Sequence, residues 1–467
     1  MERPDRLRFC LKNYHAIKEA DLRFNGLTLL CGVNGCGKSS ILRWLYYLLT
    51  GLREYREFAV NSYLQERLSL FDETIIREGW YTGSFNRLKK DNSKTDNTAE
   101  SLQSILRSLR DMVKELDPED SLEGLLEDCD KIWEQFAEPL TDLLVKYLQK
   151  IKGNLGDLRL KSVLAFTLGL SSEALADEKQ LRDAIEKYFD LSRVRARDLF
   201  GHDLEVIERL ISVKYGERDE IPDQILLEEL GLPIFSFSKK ASISAPATIK
   251  RVFYIDPPML LGEKPVPDEE AVWRRNLASQ LNSQDLPVIR SELQEFSADI
   301  EGVTGGKIQK PRRSGITDDN VGLKFKLNSG ATININRAAT GIKSFAYIDR
   351  LLKTGSLDRN SMLLIDEPEA HLHPQWISRF AHLLVRLHKE LGVCIAVSSH
   401  SPDMVQALEM LTIHEGTENN TNFYLADKGK GKNQQYTYTD QELSIEKIFT
   451  AFNKSLKYLE DTVGEFE

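Results

Sequence analysis

Gly32-Val33-Asn34-Gly35-Cys36-Gly37-Lys38-Ser39 is a complete G-x-x-x-x-G-K-S phosphate loop, set between the apolar run Leu27 to Cys31 and a helical pattern that begins at Ser40. Strand, glycine-rich loop and helix in that order are the context such a match requires. The backbone N–H groups from Asn34 to Ser40, passing Gly35, Cys36 and Gly37, can curl around phosphate oxygens. Lys38 supplies a point charge to the β/γ oxygens, and the Ser39 hydroxyl is a ligand for Mg²⁺. The helix that follows aims its N-terminus at the anion. Nucleotide binding is the first expectation.

Working outward, short strands are predicted around Arg8 to Leu11 and Asp21 to Phe24. Ile41, Leu42, Leu45, Leu48 and Leu49 recur at helical spacing after the loop. The last third alternates strand and helix. Met362-Leu363-Leu364-Ile365 reads as a buried parallel strand, Trp376 to Leu391 as a helix beginning near Pro374, and Val393 to Val397 as the next strand. Such alternation predicts an α/β fold around a parallel sheet. Arg251 to Ile255 is strand-like. Gly322 to Leu327 and Ala331 to Ile335, separated by Asn328-Ser329-Gly330, suggest an antiparallel ladder.

The strand Met362 to Ile365 ends in two adjacent carboxylates. Asp366 can hold Mg²⁺, and Glu367 can orient and deprotonate an attacking water. A second strand ends in Val397-Ser398-Ser399-His400, where a histidine can reach a γ-phosphate. The alternative readings are a surface carboxylate pair and a structural histidine; their spacing, one strand–helix–strand unit apart, favours the site.

Between the two halves lies a different text. The polar stretch Lys89 to Thr98 reads as an exposed linker, and Leu-rich segments with charged faces run from Ala99 to about Leu232. Pro118, Pro139, Gly153, Gly156, Gly169, Gly201 and Gly216 interrupt them and break any long heptad seam. The expected division is therefore a head at 1–90 and 233–467 with a compact helical insertion at 91–232. Residues 91–230 carry 32 acidic and 19 basic side chains, a balance of −13, so the remainder of a chain with net charge −10 sums to +3.

A chain of 467 residues that is 41% hydrophobic and 29% charged fits an ordinary soluble protein of two or three domains. No apolar stretch approaches the length of a bilayer span, and the charged N-terminus is unlike a signal peptide, so a cytoplasmic location without a membrane partner is expected. Five scattered cysteines without a C-x-x-C pair argue against a disulfide framework and a zinc site. For Cys36 a redox role is outweighed by its fit as a small loop residue. The basic run Lys307, Lys310, Arg312, Arg313 lacks interleaved aromatics and reads as a solvated loop, as do Lys428, Lys430 and Lys432.

Asp366-Glu367-Pro368-Glu369-Ala370-His371-Leu372-His373-Pro374, with Ser399-His400-Ser401-Pro402, resembles the ABC-class ATPase heads of OLD-family, RecF-like, SMC and Rad50 proteins. In particular it is similar to the stand-alone ATPases of bacterial anti-phage systems such as Septu and PARIS. The resemblance covers roughly residues 5–50 and 250–410 and implies an ABC-type head with ATP and Mg²⁺ as cofactors. It makes Glu367 the catalytic base, His400 the switch histidine, and Ala370 to Pro374 a dimer-facing loop that absorbs His371 and His373. Asn13-Tyr14-His15 falls near the adenine edge. Gln65 is the candidate for the glutamine that should follow the first helix, link the nucleotide to the inserted domain and serve as a metal ligand.

A signature segment should complete the partner subunit's site, and Ala338 to Ser344 is the candidate, with Gly341 approaching phosphate. The serine usual two positions before that glycine is Ala339 here, which puts turnover, but not binding, in question. The resemblance implies two heads closing head-to-head on ATP in a homodimer or larger homo-oligomer. It also implies a defence role triggered by DNA or a phage protein. The stretch after Pro402 is too short for the Toprim nuclease that OLD proteins carry, so a separate nuclease, HNH or Toprim, is the expected effector. The rival reading is a DNA-repair or chromosome-organising ATPase acting directly on DNA; a transporter subunit and a nucleotide-locked scaffold stand behind it.

Overall fold

The computed structural model describes residues 5–71, 98–116, 121–150, 155–171, 173–214, 222, 224–236, 243–256, 272–281, 283, 291–309, 323–429 and 435–453. The described chain forms two compact units. The first comprises Met1–Arg53 and Ile211–Glu467, and the second Glu54–Leu210.

In the first unit, β1 (Leu7–Tyr14), β2 (Ile17–Arg23) and β3 (Leu27–Cys31) lead into α1 (Lys38–Arg67). Every residue of β3 is buried, as expected of a strand covered on both faces. The same holds for the two strands carrying the later motifs. The second unit holds the C-terminal part of α1 with α2 (Thr98–Lys114), α3 (Leu122–Lys150), α4 (Leu155–Leu168) and α5 (Glu178–Phe200). A further helix, α6 (Asp203–Lys214), begins there. Asp177 caps α5 by accepting from the backbone N–H groups of Lys179 and Gln180.

The chain then supplies β4 (Gln224–Glu229), β5 (Leu232–Ser236), β6 (Arg251–Ile255), α7 (Val272–Leu281) and α8 (Ser291–Thr304). A small antiparallel sheet follows, β7 (Gly306–Gln309), β8 (Lys324–Leu327) and β9 (Thr332–Asn334). The α/β alternation completes the unit: α9 (Thr340–Lys353), β10 (Ser361–Asp366), α10 (Pro374–Leu391), β11 (Cys394–Ser399), α11 (Pro402–Glu415), β12 (Thr421–Lys428), β13 (Tyr436–Asp440) and α12 (Glu446–Phe452).

The large sheet runs β5-β4-β1-β2-β13-β12-β3-β11-β10-β6. From β12 to β6 every neighbour is parallel, while β5, β4, β1 and β2 pair antiparallel at the other end. The α/β head with a parallel core and antiparallel β region is therefore the fold observed. The core lies where α9 and α10 cover the parallel strands: Phe345, Ile348, Phe380, Leu384 and Leu387 meet Leu29, Leu363 and Ile395. Each such side chain contributes about 1.5–3 kcal/mol by leaving water. Trp376 and Phe380 both meet the Phe345 ring edge-on.

Three expectations need correcting. The stretch up to Leu232 was expected to be helical, but Gln224–Glu229 and the strand after it join the head's sheet, β4 pairing with β1. Alternation across Ile225, Leu227 and Glu229, all buried, with Gln224, Leu226 and Glu228 outside, has the strand period of two. Pro139 does not stop its helix, since α3 runs through it, and Gly156 lies inside α4. Packing of an amphipathic face outweighs the local cost of one proline or glycine. The two units part at Arg53/Glu54 and Leu210/Ile211, within helices, where the polar text at 89–98 gives no signal. Most of that polar stretch, residues 89–97, lies outside the described residues, with Pro118, Gly153, Gly216, Lys310, Arg312, Arg313, Lys430 and Lys432. Among the described residues no helix is long and apolar enough to cross a membrane.

Candidate nucleotide site

The phosphate loop leaves the carboxyl end of β3, between β11 and β12. Gly35 and Gly37 have φ values of 78° and 98°, a region open to glycine. A Cβ on Gly37 would lie 2.5 Å from Ile17 Cγ1, and one on Gly32 would lie 2.7 Å from Cys36 Sγ. The glycines thus let the loop press against β2 and β12. Tyr438 on β13 braces it, donating its hydroxyl to the Cys36 carbonyl at 3.3 Å. The Cys36 side chain is fully buried, so its backbone faces the loop and its thiol the core. Asn34 and Gly35 are exposed at the tip, and Ser39 and Ser40 are half-buried in the first turn of α1. Lys38 is buried, and its Nζ donates to the carbonyls of Gly32 at 3.0 Å and Val33 at 3.2 Å.

Beside this loop, β10 and β11 run parallel with Asp366 opposite Ser398. That register brings the two motifs together. Ser398 Oγ donates to Asp366 Oδ1, and the Tyr254 hydroxyl, from β6, donates to Oδ2 at 3.1 Å. Burial, and then the Asp366 carboxylate, push the Tyr254 hydroxyl well above its ordinary value, so it remains a donor. Asp366 is 7% exposed and is held by two neutral hydroxyls. Arg43, one turn beyond Ser39 on α1, stands behind Tyr254 and lies 5.4 Å from the Trp273 ring. Among the described residues Asp366 is bonded by neutral donors alone, and a buried carboxylate of this kind, next to the Glu367 that reaches Lys38 of the loop, fits a divalent cation paired with phosphate.

Glu367 adopts the left-handed conformation, φ 44° and ψ 57°, which costs a non-glycine residue about 1–3 kcal/mol. Its backbone N–H is held by the carbonyl and hydroxyl of Ser398, both at 3.1 Å. The turn aims the carboxylate at the loop: Oε1 is 3.9 Å from Lys38 Nζ and 3.3 Å from His400 Nδ1. Lys38, Asp366, Glu367 and His400, four residues from three strand ends, are thus brought together. Such convergence at the carboxyl ends of parallel strands is where α/β sheets bind ligands.

Other candidates stand apart. Gly341 is buried in the first turn of α9, whose cap residue Ala339 makes no side-chain capping bond, and α9 packs against the turn Pro368–His371. Gln65 lies in the second unit, exposed near the end of α1; about seven turns of unbroken helix separate it from Ser39. It is not among the residues gathered at the loop. Gln65 was expected to follow the first helix, and α1 instead runs through it to Arg67. His373 Nδ1 accepts from the Gln375 backbone N–H and caps α10. Asn13 and His15 both have positive φ at the β1–β2 turn, and Tyr14 packs edge-on against Trp44. Tyr254, Tyr438, Arg43 and Glu369 were not anticipated. The α/β alternation predicted that the two motif strands share a parallel sheet; the register that sets Ser398 against Asp366 comes from the structure.

The motif order and geometry agree with a known family. A family described as "AAA domain, putative AbiEii toxin, Type IV TA system" (AAA_21) matches residues 27–405. The chain belongs to this family. As an ABC-class member it is related to Septu-type ATPases: it is 27% identical to the Septu protein PtuA of Bacillus thuringiensis over 135 residues, covering 26% of this chain and 33% of that protein. The chain spans about a third of the length of the curated relatives it matches, or less. Among solved structures, it is similar to the Smc head domain with a coiled coil and joint from Pyrococcus yayanosii. That likeness has 11% identity and a TM-score of 0.35, covering 96% of this chain and 99% of that one. The Smc head domain of Pyrococcus furiosus, bound to the C-terminal domain of ScpA, gives 11% identity and a TM-score of 0.33 over 97% and 98%. Overlap at these scores is too loose to equate the folds.

Proposed function

We propose that this family member is an ATP-hydrolysing switch that closes head-to-head on ATP and governs a separate nuclease in defence against phage. The observation that carries the reading is the convergence of Lys38, Asp366, Glu367 and His400 beside the phosphate loop. Lys38 neutralises the β/γ-phosphate oxygens, and loop N–H groups from Asn34 to Ser40 cradle them. Ser39 and Asp366 would hold Mg²⁺, which supplies charge neutralisation at those oxygens. Glu367 accepts a proton from the attacking water as its oxygen bonds to the γ-phosphorus. The bond from that phosphorus to the bridging oxygen breaks, and ADP and phosphate leave. His400, at the end of β11, faces the γ-phosphate.

The second half of each site comes, on this reading, from the Gly341 segment of a second copy. The exposed Ala339 and half-exposed Thr340 at the start of α9 support it, because a helix N-terminus with an uncapped first turn favours an anion. The defence role is supported by the likeness to Septu PtuA, over the matched stretch. The nuclease, HNH or Toprim, and the DNA or phage-protein trigger belong to this proposal.

Glu367→Gln tests it, measured by sedimentation with ATP and Mg²⁺. A stable ATP-dependent dimer of the variant, dissociating in the wild type as ATP is consumed, is the expected result. A monomer under all conditions, or equal near-zero ATPase rates in both proteins, would overturn the cycling switch.

A further inference from the structure

Glu369 lies outside the paired carboxylates of the second motif, yet its side chain reaches the same end of the sheet. The turn Pro368–His371, entered through the left-handed Glu367, tucks it beneath the end of β11. Its Oε1 accepts from Ser399 Oγ at 2.6 Å and from the His400 backbone N–H at 3.0 Å. The same oxygen stands 3.7 Å from His400 Nδ1, whose nearer carboxylate neighbour is Glu367 Oε1 at 3.3 Å. Glu369 Oε2 is buried with no hydrogen-bond partner among the described residues.

A buried, unpartnered carboxylate oxygen is destabilising by about 1–3 kcal/mol or more. Packing therefore gives no reason for an acid here, since glutamine would accept the same two bonds without a buried charge. What the charge faces is the imidazole. Two acceptor oxygens and no donor stand against Nδ1, which assigns the ring proton to that nitrogen.

We infer that Glu369 is a positioning residue for His400: it anchors the end of β11 and holds a second carboxylate oxygen 3.7 Å from Nδ1, so that the ring proton keeps an acceptor within a small rotation when Glu367 Oε1 turns to the attacking water. The inference rests on the roles proposed for Glu367 and His400. Without Glu369, the histidine proton and the water compete for one carboxylate oxygen, and the turn carrying His400 loses both of its bonds to the Pro368–His371 turn.

Full-length Glu369→Ala and Glu369→Gln, compared with wild type and Glu367→Gln, test it by ATPase kinetics, thermal melting and ¹⁵N spectroscopy of the histidine rings. His400→Asn identifies the His400 signals. Glu369→Ala should lower kcat about 10- to 100-fold, as expected when a reacting group is misplaced. KM for ATP should move by less than about threefold. Glu369→Gln, which keeps the anchoring acceptor, should fall between Ala and wild type. Both variants should melt within a few degrees of wild type, and the His400 Nδ1 signal should shift in Glu369→Ala. Wild-type kcat in Glu369→Ala, unchanged His400 nitrogen shifts, or parallel losses of KM and melting temperature in both variants would overturn the inference. If wild type turns over no faster than Glu367→Gln, the hydrolysis reading fails instead. The nitrogen shifts, read without nucleotide, then decide Glu369 alone.

Discussion

Two aspartates in this molecule are almost equally buried, Asp366 at 7% and Asp130 at 4% exposure, and are compensated in opposite ways. Asp130, on α3 in the second unit, accepts from Arg193 Nε at 3.1 Å, Arg197 Nη2 at 2.9 Å and the Tyr63 hydroxyl at 2.6 Å. Arg67 stands 3.9 Å away, stacked over Trp133. Three guanidinium groups on one carboxylate leave nothing for a cation to add. Among the described residues Asp366 receives only hydroxyl bonds, at the carboxyl end of β10. Burial alone therefore does not mark a functional acid; the kind of partner does. A carboxylate saturated by arginine ties α1, α3 and α5 together, while one bonded by hydroxyls, with the Arg43 charge acting on it through space, suits the cation proposed for it.

The sharpest break in this comparison comes from the head. Glu367→Gln should lower ATP turnover about 100- to 10,000-fold with folding stability nearly unchanged, because it removes the proposed general base and keeps the shape of a half-buried side chain. Unaltered turnover would detach the paired carboxylates from chemistry.

Asp130→Ala should do the reverse. It strands buried arginine charge and should cost about 3–5 kcal/mol in urea unfolding. A loss below about 1 kcal/mol, the range of exposed pairs, would reduce the network to a surface feature.

The same carboxylate should also show in the pH dependence. Burial pushes the Asp130 carboxyl up, but the hydrogen bonds from Tyr63 and Arg197 and the charges of Arg193 and Arg67 together hold it below its ordinary value of 3.8. A depressed folded-state value means stability that is present above the unfolded value and lost as pH falls through the folded one. The stability gap between wild type and Asp130→Asn should therefore be constant above about pH 5 and shrink below pH 4. A gap independent of pH down to acid unfolding would count against the charge network.

The smallest effect is expected at Tyr438→Phe. It removes one hydroxyl bond to the Cys36 carbonyl, about 1 kcal/mol, and should raise KM for ATP roughly fivefold with kcat kept. An unchanged KM would show that the glycines shape the loop without this brace.

Much of the head was legible in the sequence because its chemistry is written in short contiguous runs. Leu27 to Ser39 and Met362 to Glu367 each carry a strand, a turn and candidate site groups in one short run, and His400 follows a second apolar run. Where the reading failed, periodicity and punctuation were weak guides. The segment Gln224 to Glu229 looked like the end of a helical region, and only pairing with β1 made it a strand. Pro139 read as a break and lies within α3. Gln65 was sought after the first helix and lies within it. In each case tertiary packing, which a local pattern does not contain, outweighed the local preference.

The sequence by itself determined that a phosphate loop, two carboxylates and a histidine exist, and that they cap apolar strands of an α/β sheet. Backbone geometry makes those runs local, so their order along the chain is enough to read them. Only the tertiary structure decided that Tyr438 props the Cys36 carbonyl, that Ser398 and Tyr254 hold Asp366, and that Glu369 underlies His400. Those contacts join residues distant in sequence through strand register, which depends on how the whole sheet assembles and is encoded in no single stretch.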